Sequence, residues 1–240
     1  MNQVFMLNIK IEIMKKILIF FSSIFFAGFL SAQECVFYYP KTQGAVLEYK
    51  SFDKKDKLTG RSTQKVKEIS ENGDIVKASI EYQSFDSKGK DLGKNEYTVK
   101  CENGVYSVDM KSFLDAQTMA SYKDMKVDIT SNSLEMPSEM KVGDQLKEGK
   151  LLVSISSEGM PIMTMTTTIT DRKVEAKESV TTEAGTFECF KITYTITTKM
   201  MIGMRFEAAE WYAEGVGSVK TESYSKGNKM SSTILTSIKK

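Results

Sequence analysis

The chain has 240 residues, 41% hydrophobic and 10% aromatic, which is enough apolar content to fill the core of one domain and too much for a disordered chain. No histidine is present, which excludes Ser-His-Asp triads, Cys-His pairs and imidazole-held metals within this chain. The 33 Lys and Arg against 31 Asp and Glu become equal numbers once residues 1–32 are set aside, since these hold Lys10, Lys15 and Lys16 against Glu12. That balance argues against nucleic acid or a polybasic membrane-surface role and leaves uncharged partners open.

The chain begins with an export signature. Met14-Lys15-Lys16 precedes an apolar run over residues 17–30 and then Ser31-Ala32, the layout of a secretory signal peptide. Residues 1–32 are therefore expected to be the signal, with translation starting at Met14, cleavage after Ala32 and a mature protein from Gln33. The run of 14 residues falls short of the ~20 that a helix needs to cross a bilayer, so no transmembrane span is expected after cleavage. Cys35 follows Gln33-Glu34 rather than small residues, so it is not expected to carry lipid. The expected location is periplasmic or secreted.

Residues 33–240 read as a single β-rich domain. Turn signals recur at short intervals: residues 54–60, 71–74, 86–90, 102–104, 157–161, 183–185 and 225–228 combine Gly, Asn, Asp and Lys, residues that suit tight hairpins. Between them lie runs rich in Val, Ile, Thr, Tyr and Phe. The clearest alternation is Phe190, Ile192, Tyr194 and Ile196 against Lys191, Thr193 and Thr195, a half-buried strand. The threonine-rich run 163–170 suits a pleated surface. One exception is predicted, a short helix within residues 107–125.

An internal echo links Tyr49-Lys-Ser-Phe-Asp-Lys-Lys-Asp-Lys57 with Tyr82-Gln-Ser-Phe-Asp-Ser-Lys-Gly-Lys90, and more faintly with residues 223–229. The segments between do not match, so this is repeated hairpin chemistry rather than a solenoid. Residues 130–143 are the expected connection between two parts of one sheet system. So many successive strands must curl, and the expected fold is all-β: an antiparallel, strongly bent sheet or barrel.

Several motifs together resemble the TapB-like family of exported bacterial proteins of unknown function: Cys35-Val-Phe-Tyr-Tyr-Pro40 with Gly44, Cys101-Glu-Asn-Gly-Val-Tyr106 with Asp109, Lys141-Val-Gly-Asp144, Arg172-Lys-Val-Glu175, residues 184–192, and Glu210-Trp-Tyr-Ala-Glu-Gly-Val-Gly217. The resemblance spans almost all of residues 33–240. It implies a barrel-like fold similar to periplasmic lipoprotein carriers and brings no catalytic residues.

Three cysteines in an oxidising compartment leave one unpaired. Cys35 and Cys101 both abut turns and are the expected disulfide, while Cys189 lies inside a predicted strand as a buried thiol. Their spacings fit no zinc pattern, and no metal or cofactor is expected. Methionine concentrates at Met160, Met163 and Met165 and again at Met200, Met201 and Met204. Thioethers can hold Cu(I), but they more often fill irregular apolar space. Met163, Met165, Met201 and Met204 are accordingly the candidate lining of an apolar cavity.

Glu207, Glu210 and Glu214 fall beside Trp211 and Tyr212, a setting that suits sugar, although a glycosidase needs a defined carboxylate pair. Gly215-Val-Gly217 marks a bulge or tight hairpin. The expected function is that of an exported, non-catalytic binding protein of the cell envelope for an apolar small molecule, a lipid or a lipid-like segment. The alternatives are an envelope protein-interaction module and a carboxylate-dependent enzyme acting on carbohydrate.

Overall fold

A computed structural model describes residues 35–240 apart from residues 115–121, 123 and 201. The expected signal, residues 1–32, lies outside the described residues. Thirteen strands follow in order: β1 Val46–Asp53, β2 Leu58–Asn72, β3 Ile75–Asp86, β4 Asp91–Glu102, β5 Val105–Asp109, β6 Lys126–Ser131, β7 Ser133–Pro137, β8 Gly149–Ser157, β9 Met160–Thr182, β10 Gly185–Lys199, β11 Gly203–Ala213, β12 Gly217–Ser225 and β13 Asn228–Lys239.

All seven turn signals fall at hairpin connections. At Asn103-Gly104, Glu158-Gly159 and Lys226-Gly227 both turn residues have positive φ, the geometry whose twist matches the flanking strands. The sequence echo is a repeated device. Asp53 accepts from the backbone N–H of Lys55 and Lys57, and Asp86 accepts in the same way from Lys88 and Lys90. The third copy differs, because the Lys226-Gly227 turn is too short for such a cap. The helix expected within residues 107–125 is not formed over residues 107–109, which end β5. A 3-10 turn over Met110–Phe113 follows, capped by the Asp109 carboxylate on the N–H of Lys111, and residues 115–121 and 123 of the expected helix lie outside the described residues.

The strands form one antiparallel sheet in the order β6-β8-β9-β10-β11-β12-β13-β1-β2-β3-β4-β5-β7. Its two edge strands, β6 and β7, are neighbours in sequence, separated by Asn132 alone. One continuous stretch thus pairs with β8 before Asn132 and with β5 after it, so the sheet curls until its edges meet in a nearly closed barrel. Asn132 clasps the seam: its side chain accepts from Lys150 N at 2.6 Å and donates to the Glu148 carbonyl at 3.0 Å, while its own carbonyl accepts from Met110 N. The expected connection over residues 130–143 thus begins in the closing seam of the sheet, pairing with β8 on one side of Asn132 and with β5 on the other. Opposite the seam strand, Gly149 has no room for a side chain, because a Cβ would sit 2.5 Å from both Leu134 Cδ2 and Met110 Sδ.

Two ends follow from the topology. The hairpins β1–β2, β3–β4, β8–β9, β10–β11 and β12–β13 turn at one end, called the upper end. The hairpins β2–β3, β4–β5, β9–β10 and β11–β12 turn at the lower end. A plug closes the lower end from inside: Phe37 and Tyr38 are buried, and Tyr38 packs edge-on against Tyr106 and Tyr212 with ring centroids 5.4 and 6.1 Å apart. The Gly215 N–H donates to the Phe37 carbonyl at 2.9 Å, and a disulfide joins Cys35 to Cys101 near the end of β4. These residues belong to the larger core cluster with Leu47, Val66, Ile80, Val99, Ile192 and Leu235. A second cluster of Met110, Leu151, Val153, Ile155 and Ile169 lies behind β8 and β9. The long strand β9 bends through two register shifts against β10, as extra residues in one strand of a pair cause.

Candidate functional site

Above the plug the barrel is not filled. A cavity of about 370 Å³ is lined by Tyr39, Tyr82, Tyr97, Tyr106 and Tyr212, with Gln64, Asn95, Lys94, Glu210 and Ser218 among them. Tyr39 and Tyr106 come from the plug and the strand it touches, so they lie toward the closed end. Ser84 and Gly93, a cross-strand pair just below the β3–β4 turn, form the upper wall. The barrel is a cup closed by aromatic side chains at its base.

The phenols are organised. Tyr39 and Tyr97 share a hydrogen bond of 2.7 Å between their hydroxyls, and Tyr39 also donates to Gln64 Oε1. The Tyr49 hydroxyl donates to the Ser218 carbonyl at 3.0 Å. Burial pushes the pKa of Tyr39, Tyr97, Tyr106 and Tyr212 up, so all stay neutral and serve as amphipathic walls with hydroxyl handles.

Glu210 is the carboxylate of the cavity wall. Desolvation raises its pKa, opposed by hydrogen bonds from Ser218, Tyr212 and Tyr194 and by the charge of Arg172. The Tyr194 hydroxyl donates to Glu210 Oε2 at 3.1 Å. Arg172 is 4% exposed and gives Nη1 to the carbonyls of Lys147 and Glu135, at 2.6 and 3.1 Å. Its guanidinium thus ties β9 to β7 and to the chain entering β8, across the seam, with its positive charge toward Glu210.

A carboxyl whose folded-state pKa is raised destabilises the fold once ionised, above that pKa, and costs nothing below its ordinary value. Glu210→Gln is therefore expected to raise the melting temperature at neutral and alkaline pH, with the gain fading as pH falls through the ordinary carboxylate range. Thermal melts across pH check this. A loss of stability of equal size at every pH would contradict it.

Asn95 carries a different signal. Its Nδ2 donates to the Leu114 carbonyl at 3.1 Å, which fixes the amide orientation, and its Oδ1 is the one buried side-chain oxygen among the described residues without a hydrogen-bond partner. Such a group is costly unless something completes it.

Of the methionines expected to line a cavity, Met163, Met165 and Met204 do not border this one. Met163 and Met165 pack on the second core cluster opposite Ile155 and Val153. Met204 is 56% exposed beside the β10–β11 turn, and Met201 lies outside the described residues. The physical reason is register: Met163 and Met165 face the second cluster, and Met204 stands beside the turn that begins β11. Cys35 and Cys101 form the expected disulfide, and Cys189 is a buried free thiol whose pKa burial pushes up to about 11. Of the carboxylates near Trp211, Glu207 and Glu214 are exposed and only Glu210 reaches the cavity. The cavity tyrosines went unrecognised in the sequence. Their one signal was aromatic residues placed among polar strand positions, which a surface strand shares.

No helix among the described residues is long and apolar enough to cross a membrane. No curated protein matches the chain. Among solved structures, a protein of YmcC-like fold from Bacteroides fragilis, described as exported, has 24% identity and a TM-score of 0.72, with 86% of this chain and all of that chain covered. A protein from Parabacteroides distasonis, described as a lipoprotein, has 29% identity and a TM-score of 0.71 over the same shares. A family model described as DUF3108-like matches residues 42–235. With that match covering most of the strands of the curled sheet, the chain belongs to the DUF3108-like family.

Proposed function

We propose that this is an exported, non-catalytic binding protein of the bacterial envelope, a TapB-like member of its family, whose cup holds a small amphiphile. The observation that carries the proposal is the tyrosine-lined cavity itself, with the polar side chains of Gln64 and Asn95 in its wall. A ligand with an apolar body fits the phenol rings, and a donor on it meets the hydroxyls and amides among them. This changes the chemistry expected from the methionines: the ligand is apolar in bulk but carries at least one hydrogen-bond donor. The description of similar structures as an exported protein and a lipoprotein supports envelope residence. A paired-carboxylate mechanism draws no support from the cavity, whose lining includes one carboxylate, Glu210.

The test uses N-phenylnaphthylamine, a neutral apolar probe with one N–H donor, titrated into the processed protein purified from the envelope of expressing cells. Saturable fluorescence enhancement is expected, weakened roughly 3–10-fold by Asn95→Leu and also weakened by Tyr97→Leu. Mass spectrometry of a solvent extract identifies any natural ligand. Absence of saturable binding in the parent protein, with no extractable molecule, would overturn the proposal.

A further inference from the structure

The two ends of the barrel differ in chemistry, although the sequence as a whole is close to neutral. Of the nine exposed large hydrophobic side chains among the described residues, seven lie at or beside the upper-end turns, the exceptions being Met125 before β6 and Val142. Met160 and Ile162 follow the β8–β9 turn at 66% and 56% exposure. Ile202 and Met204 flank the β10–β11 turn at 80% and 56%. Scattered single residues of this kind need no explanation, but a concentration at one end marks an interaction surface.

Cations gather at the same end. The β1–β2 turn carries exposed Lys54, Lys55 and Lys57, the β3–β4 turn Lys88 and Lys90, and the β12–β13 turn Lys226. Lys199 and Arg205 bracket the apolar β10–β11 tip. Several carboxylates there are turned onto the protein: Asp53 and Asp86 accept backbone N–H groups of their own turns, and Asp56 pairs with Lys229 at 3.0 Å. Glu158 is the exception, on the β8–β9 turn. The four lower-end hairpin turns carry Glu71 and Asp74, Glu102, Glu183 and Glu214 and no lysine or arginine, although Glu102 pairs with Lys100 and Glu183 with Lys50 and the connection from β7 to β8 carries exposed Lys141 and Lys147.

We propose that the upper rim docks on an anionic phospholipid surface, with the Met and Ile side chains entering the headgroup region and the lysines meeting phosphate. The charge polarity favours this occupant, since a surface of one sign attracts one end of the barrel and repels the other. The form of the apolar residues agrees. They stand on separate hairpin tips rather than in a groove, which suits a fluid surface better than a shaped protein partner. The cup's upper wall, Ser84 and Gly93, reaches toward this end. The inference does not depend on the cavity holding a ligand.

Co-sedimentation with vesicles tests it, using the processed protein purified from expressing cells. Binding to phosphatidylglycerol vesicles is expected, with little to phosphatidylcholine vesicles, and it should weaken as salt is added. Removal of a lysine near the surface should cost roughly fivefold, so Lys54→Glu with Lys226→Glu is expected to lower binding at least tenfold. Ile202→Asp with Met204→Asp is expected to do the same. Val142→Asp, at an exposed site away from the rim, should bind like the parent. Circular dichroism confirms that each variant is folded, and all substituted side chains are exposed. The proposal is overturned if the parent ignores phosphatidylglycerol vesicles, if both rim variants bind as it does, or if Val142→Asp loses as much. Self-association of the parent through the rim, abolished by the rim variants while vesicle binding is absent, would also overturn it and identify a protein interface.

Discussion

Replacing Cys35 and Cys101 by serine is expected to lower the unfolding free energy by about 4 kcal/mol, the loop-closure entropy of a cross-link spanning 66 residues of sequence. The loss reaches the cavity because the disulfide holds the plug. Val36 N donates to Ser138 Oγ at 2.9 Å, and the Gly217 backbone, at φ +102, lies so near the Tyr38 carbonyl that a Cβ would approach it to 3.0 Å. These contacts position Phe37, Tyr38 and Tyr39 but close no covalent loop. Denaturant titration of the double variant, and of the parent with and without reductant, measures the effect. Binding of N-phenylnaphthylamine should weaken along with stability, since Tyr39 forms part of the cavity floor. A double variant as stable as the parent would mean that packing alone seats the plug.

Arg172→Met is the second large effect, an expected loss of about 2–5 kcal/mol. The partly buried carbonyls of Glu135 and Lys147 lose their charged donor, and a hydrogen bond to a charged group is worth about 1.5–3 kcal/mol. Arg172→Lys is expected to rescue only in part, because an ammonium on a flexible stem does not reproduce the planar fork. Arg172 also opposes the upward shift of the Glu210 carboxyl. Combining Arg172→Met with Glu210→Gln should therefore cost less than the two single effects summed, the mark of residues that interact. Denaturation midpoints of the four proteins give the coupling directly. Strict additivity would show that Arg172 acts only on the seam carbonyls.

The hairpins were legible in the sequence because their cause is local. Gly104 and Gly227 adopt positive φ through their own steric freedom, and Asp53 and Asp86 cap turns within four residues. The alternation at Ile192 and its neighbours likewise marked a strand, with Ile192 fully buried. The placing of Cys35 and Cys101 beside turns pointed to their pairing for the same local reason.

Closure, the cavity and the polarity of the two ends arise from register and curvature, which no local pattern carries. Arg172 shows why. Counting by two from buried Ile169 would put it on the opposite face, yet β9 advances three residues from Thr170 to Lys173 while β10 advances two, and Asp171 takes φ 55. That bulge turns the guanidinium inward. Glu210 resembles its neighbours Glu207 and Glu214 in sequence and differs in place: Glu207 is exposed on the same strand, and Glu214 stands in the turn that follows it. The methionine groups looked like a lining because they recur close together, but the sheet ends where they stand. Net charge, a sum over the whole chain, says nothing about where its parts lie. Alternating the direction of successive strands sends the lysine-rich turns to one end of the barrel and the glutamate-bearing turns to the other.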